Sequence, residues 1–175
     1  MSAFFEIFII IPEGMVAEAA IMNTHTVLTE HGSTIDDDSL LILHETEREE
    51  PEPRDVVDPI TDLKLIANWP TYGYMRYFSP VMPFGVSFTG VAYERIINCI
   101  EIGLHDGIYN ESRPRSEGFF YSLAKRLHIE LNAKRTLMGW DLTHQSGFHS
   151  EDEIERLKKG QIEGHYEMLD IIRAD

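Results

Sequence analysis

The stretch Met75–Gly103, MRYFSPVMPFGVSFTGVAYERIINCIEIG, decides how the chain folds. Tyr77, Phe78, Val81, Phe84, Val86 and Phe88 are aromatic or β-branched, and Pro80, Pro83 and Gly85 divide them into two short strands. After Thr89-Gly90 the period changes. Ala92, Ile96, Cys99, Ile100, Gly103 and Leu104 follow a three-four spacing, which predicts a helix with one buried face. A strand pair followed by an apolar helix is the smallest unit of a two-layer domain.

Working outward, the run from Ala3 to Ile11 is almost continuously apolar and reads as a central strand covered on both faces. It has no basic n-region, carries Glu6 inside the run and lacks a small-residue cleavage pattern, so it does not read as a signal peptide. A helix is expected from Met15 to about Thr29, stopped by His31-Gly32-Ser33, and a short strand at Leu40–His44. That order suggests a β-α-β opening. Residues 45–62, ETEREEPEPRDVVDPITD, hold three prolines and no period, which predicts an exposed acidic loop. Leu63–Ala67 fits a short strand or a helical turn, and Asn68–Tyr74 an aromatic loop. Beyond the central stretch, Tyr109–Ser116 reads as a polar connector. Phe120, Leu123, Leu127 and Leu131 mark a helix over 117–133, and Lys134–Asp141 a closing strand. Ser150-Glu151-Asp152-Glu153 has the form of a capping box opening a terminal helix that carries Ile154, Leu157, Ile162, Met168 and Ile172. Gly160 and Gly164 weaken the middle of that helix.

The chain has 175 residues, 43% hydrophobic and 26% charged, enough for one filled core, and a single α+β domain over 1–175 is expected. Thirty acidic residues against fifteen basic give a formal charge of −15. Such a balance opposes nucleic-acid binding, which needs clustered Lys and Arg against phosphate. From Asp36 to Asp58 there are ten acidic residues against Arg48 and Arg54, so eight of the fifteen net negative charges fall in 23 positions. Cys99 is the only cysteine and sits among isoleucines. No internal disulfide is possible, a reducing, cytoplasmic compartment is expected, and the thiol reads as a small buried side chain. No run approaches the roughly 20 apolar residues of a membrane span.

Eight histidines invite a catalytic or metal reading. His31-Gly32-Ser33 and His144-Gln145-Ser146 repeat an H-x-S pattern that resembles the paired motifs of two-histidine phosphoesterases, which implies two imidazoles acting as acid and base. Both stretches read as loops, whereas that family places its histidines in strands. Asp141, His144 and His149 match no compact zinc spacing, so no metal and no cofactor is expected. There is no GxGxxG, no Walker lysine loop and no G-x-S-x-G elbow.

The concentrated charge has another use. A dense negative patch accelerates encounter with a basic partner without catalytic geometry, and Trp69, Tyr72 and Tyr74, adjoining it in sequence, are residue types that dominate binding energy. The candidate partner-binding set is Asp36, Asp37, Asp38, Glu45, Glu47, Glu49, Glu50, Glu52, Trp69, Tyr72 and Tyr74. The expected fold is a mostly antiparallel sheet of about five strands, helices largely on one face, and a C-terminal helix. The expected function is a non-enzymatic inhibitor or immunity-type antitoxin that occludes a basic partner such as a toxin nuclease. A small hydrolase using His31 and His144, and a homo-oligomer joined through the terminal helix, are the alternatives.

Overall fold

The computed structural model describes residues 4–36, 40–44, 52–91, 93–143, 149–162 and 165–174. In chain order these form β1 (Phe4–Ile10), α1 (Ala17–Glu30), β2 (Thr34–Ile35), β3 (Leu40–His44), β4 (Glu52–Asp55), α2 (Pro59–Asn68), β5 (Tyr72–Phe78), β6 (Pro83–Val91), β7 (Ile96–His105), α3 (Asp106–Glu130), β8 (Arg135–Trp140), α4 (Glu151–Lys158) and β9 (His165–Ile172). All nine strands join one antiparallel sheet in the order β4-β3-β5-β6-β7-β1-β8-β9, with β2 pairing β5. The α+β class stands, and the sheet exceeds the expected five strands. Among the described residues no helix is long and apolar enough to cross a membrane.

Three strands were hidden from periodicity. The expected helix over Ala92–Leu104 is β7, paired to β6 on one side and β1 on the other. Both faces of β7 are covered: Ile100, Ile102 and Leu104 point to the large core, and Cys99 to a smaller one. A strand buried on both faces loses its polar alternation, so its apolar residues mimic a helical stripe. The expected terminal helix ends at Lys158, Gly160 turns the chain at φ +70°, and Met168 and Ile172 belong to strand β9. In the acidic stretch 45–62, residues 45–51 lie outside those described, 52–55 form edge strand β4 and Pro59 opens α2. Pro53 fits there because an edge strand tolerates the missing N–H.

The connector expected at 109–116 is instead the first half of α3, a helix of 25 residues. β1 takes neither β2 nor β3 as neighbour, so the expected β-α-β opening is absent from the described residues.

Register assigns every strand residue to a face. Phe5, Ile7 and Ile9 of β1, Ile100 and Ile102 of β7, Val86 and Phe88 of β6, and Met75 and Tyr77 of β5 form one face. Onto it pack α1 through Ala20, Ile21, Val27 and Leu28, α2 through Leu63 and Ile66, and α3 through Phe120, Leu123 and Leu127. Each of the larger apolar side chains so buried contributes about 1.5–3 kcal/mol. Gly73 of β5 admits α2: a Cβ there would collide with Ile66. The opposite face carries Phe8, Ile10, Cys99 and Leu137, covered by Ile154 and Leu157 of α4. Helices thus lie largely on one face, with α4 alone on the other among the described residues.

Candidate functional site

The described members of the sequence-predicted set divide between a sheet edge and the sheet's second face. β3 pairs β5 with His44 opposite Tyr72 and Ile42 opposite Tyr74, and β4 pairs β3 with Glu52 opposite Leu43. β3 therefore ends at the corner occupied by the α2–β5 connection, where Trp69 is 39% exposed. Glu45, Glu47, Glu49 and Glu50, like Asp37 and Asp38, lie outside the described residues, and of Glu52 only the strand position is described. At the far end of this edge Asp55 and Asp58 are exposed, and Val57 between them is 89% exposed. Asp62 fixes this corner. Its Oδ2 accepts from the N–H of Val57 at 3.0 Å and of Asp58 at 3.3 Å, and its Oδ1 lies 3.7 Å from the Arg54 guanidinium.

Asp36, Tyr72 and Tyr74 point elsewhere. Asp36 is buried and ion-paired with Arg76. Tyr72, Tyr74 and Arg76 share the second face of the sheet, because Gly73, Met75 and Tyr77 take the core face. Tyr72 is buried, its hydroxyl 3.5 Å from Ser87 Oγ, and burial foremost pushes its phenol up to about 12. Tyr74 is half-buried and lies across Gly85, where a Cβ would strike its ring.

That second face is where sequence reasoning missed a cluster. Register lines up Tyr74, Ser87, Glu101, Phe8 and Leu137 across five strands, and Glu6 lies in the next row between Gly103 and Gly139. Glu6, Glu101, Glu153 and His149 are all buried. His149 sits just before α4 with both ring nitrogens engaged: Nε2 with Glu101 Oε2 at 2.7 Å and Nδ1 with Glu153 Oε2 at 2.8 Å. Its ring meets Phe8 edge-on at 5.0 Å. Glu6 Oε2 accepts from the Leu142 N–H at 2.6 Å. The Ser150 hydroxyl accepts from the Glu153 N–H at 3.3 Å and caps α4, while the Glu153 carboxyl turns to His149.

Burial works against charge on His149, but the hydrogen bonds and charges of Glu101 and Glu153 outweigh it and raise the imidazole to about 9. Burial, helped by the Glu101 charge, raises Glu6 to about 8 in spite of the Leu142 N–H and His149. At neutral pH the cluster therefore holds a protonated Glu6 and an imidazolium between two carboxyls. An imidazolium with both N–H groups committed and its side chain fully buried has no position from which to take a substrate proton. Among the described residues no His, Cys, Asp and Glu group has the geometry to hold a metal ion. The signal for the cluster was present: His149 and Glu153 stand four apart, and Glu6 and Glu101 are lone acids inside apolar runs.

Of the expected histidine pair, His31 Nδ1 lies 3.0 Å from the Val27 carbonyl at the end of α1, and His144 is outside the described residues. A cavity of about 440 Å³ opens beside the first turn of α4, lined by Thr89, Tyr93, Asn98, His149, Glu151 and Asp152.

No family model matches the sequence, and no curated protein matches it. Among solved structures the chain is similar to the Pseudomonas aeruginosa T6SS protein PA0821, with a TM-score of 0.44 and 11% identity, over 91% of this chain and 45% of that one. The chain thus spans less than half the length of that protein.

Proposed function

We propose that this chain is a non-enzymatic acidic binding protein, of the inhibitor or immunity type, that occludes a basic partner such as a toxin nuclease. The carrying observation is that eight of the fifteen net negative charges fall in 36–58, and that the described end of this stretch, from Glu52 to Asp58, includes the outermost strand β4 and adjoins exposed apolar side chains. Val57 at 89%, with Ile60 and Trp69 each at 39%, supplies contact area along α2, and Asp55 and Asp58 flank Val57. Negative charge steers the encounter and the apolar groups hold the docked state. Glu47, Glu49 and Glu50 add to the steering field wherever they sit within a Debye length, about 8–10 Å at ordinary salt.

The test is affinity capture with the wild-type chain beside an E47K/E49K/E50K/D55K variant of matched thermal midpoint. A partner of pI above about 9, retained by the wild type, released by salt and lost from the variant, is the expected result. Capture of acidic or salt-insensitive partners only, or equal capture by both chains, overturns the reading.

Homo-oligomerisation is a second reading, favoured by one observation. β9 is the sheet's other open edge, eight residues without proline, and Ile172 on it is 63% exposed. Strand edges of that length pair readily with another copy. Light scattering of the wild type against Ile172→Lys separates the two readings, because a dimer joined at β9 dissociates in the variant.

A further inference from the structure

We infer that α4 is a pH-gated latch: the buried cluster of Glu6, Glu101, His149 and Glu153 holds it on the sheet, and loss of the cluster's protons releases it. At eight residues, α4 is shorter than the roughly 12–15 that make an isolated helix even marginal in water. It stays helical because it is docked. Docking rests on Ile154 and Leu157 against Phe8, Ile10 and Leu137, and on His149, just before α4, bound to Glu101 of β7, while the Ser150 cap and the Glu153–His149 contact hold the first turn itself. A cavity lies beside that first turn, with His149 and Ser150 among the residues lining it.

The groups facing the cluster come from every element around it. β1 contributes Glu6, β7 contributes Glu101 and Cys99, and α4 contributes Glu153. From β5, Tyr72 and Tyr74 face Glu101. The charges acting on Glu6 are Glu101 and His149, and those acting on His149 are Glu101 and Glu153. With Glu6 neutral and His149 cationic, the cluster sets one positive charge among its acids. Loss of both protons adds two negative charges to a site that is buried. Release of α4 returns Glu6 and His149 to water and their ordinary ranges, and uncovers Phe8, Ile10, Leu137 and the thiol of Cys99.

Cys99 is the reporter, being the chain's only cysteine and buried beneath α4. Its alkylation by iodoacetamide is measured in the full-length chain from pH 7 to 9 and divided by the rate in urea-unfolded protein at each pH. Each proton lost on opening lowers protection tenfold per pH unit. The wild type is expected to lose tenfold or more per unit up to pH 8, with an unchanged circular dichroism spectrum and weak urea dependence. Glu6→Gln, which keeps the acceptor for Leu142, is expected to reduce the slope by one proton, and His149→Gln by the other. Three results overturn the latch: protection changing less than about threefold over pH 7–9, a Glu6→Gln slope equal to wild type, or urea dependence as steep as global unfolding. If His149→Gln does not fold, Glu6→Gln and the wild-type profile still decide.

Discussion

Glu6 shows how much one side chain can set. Its folded value near 8 lies above the ordinary 4.5, so between those pH values the folded chain holds a proton that the unfolded chain has lost. Stability therefore falls as pH rises from about 4.5 to 8. His149 acts in the same direction: its contribution is complete below about 6.5 and is lost as pH rises through 9. Glu6→Gln removes the first dependence. At pH 7.5 it is expected to stabilise the protein by on the order of 2–4 kcal/mol and at pH 4 by almost nothing, read from urea midpoints. Equal shifts at both pH values would show that packing, not ionisation, sets the effect. The sequence displayed Glu6 as a lone acid in FFEIFII. What it did not display is that β1 and β7 pair with Phe8 opposite Glu101, which brings three acids round one imidazole. The acids are legible one by one, and the meeting point belongs to register.

Elements were legible where one face is buried and the other is wet. α1 keeps Ala20, Ile21, Thr24, Val27 and Leu28 inside and exposes Glu18 and Ala19, and its bounds fall within two residues of the expected Met15–Thr29. β7 has both faces covered, and its four isoleucines were a better guide than its spacing. The capping box was half correct: Ser150 caps α4, but the Glu153 carboxyl goes to His149 and not back to the cap. Ser150→Ala is accordingly expected to cost about 1 kcal/mol and to raise Cys99 alkylation roughly fivefold at pH 7. No change in alkylation would mean that the cap does not limit release. Gly73→Ala tests a different junction. The new methyl meets Ile66 of α2, so a loss of about 1–3 kcal/mol is expected from urea unfolding. A variant as stable as wild type would show that α2 can shift away from β5 at no cost.

At the scale of the whole molecule, charge and topology act together. Among the described residues the sheet ends at β4 and β9, and Glu52, Arg54 and Asp55 place charges on the β4 edge that oppose unwanted strand pairing. Composition made the charge legible, but that Glu52–Asp55 form the outermost strand follows from β4 pairing β3, which no sequence period announces. A net charge of −15 makes the folded state repel itself, and the half-exposed ion pairs Arg126–Glu30 and Arg126–Glu130 oppose that only weakly. Salt therefore has two opposite effects, screening repulsion over the surface and weakening exposed pairs. The large net negative charge outweighs a few exposed pairs, each of them screened and weak. Raising NaCl from 10 to 300 mM at pH 7 is expected to increase stability by about 1 kcal/mol, a shift of roughly 2–4 °C in the thermal midpoint. The buried cluster is shielded from that salt, so the pH slope of Cys99 protection is expected to stay the same in both buffers. A midpoint that falls with salt would assign the larger share of stability to the surface pairs, and a slope that flattens with salt would place the titrating groups at the surface.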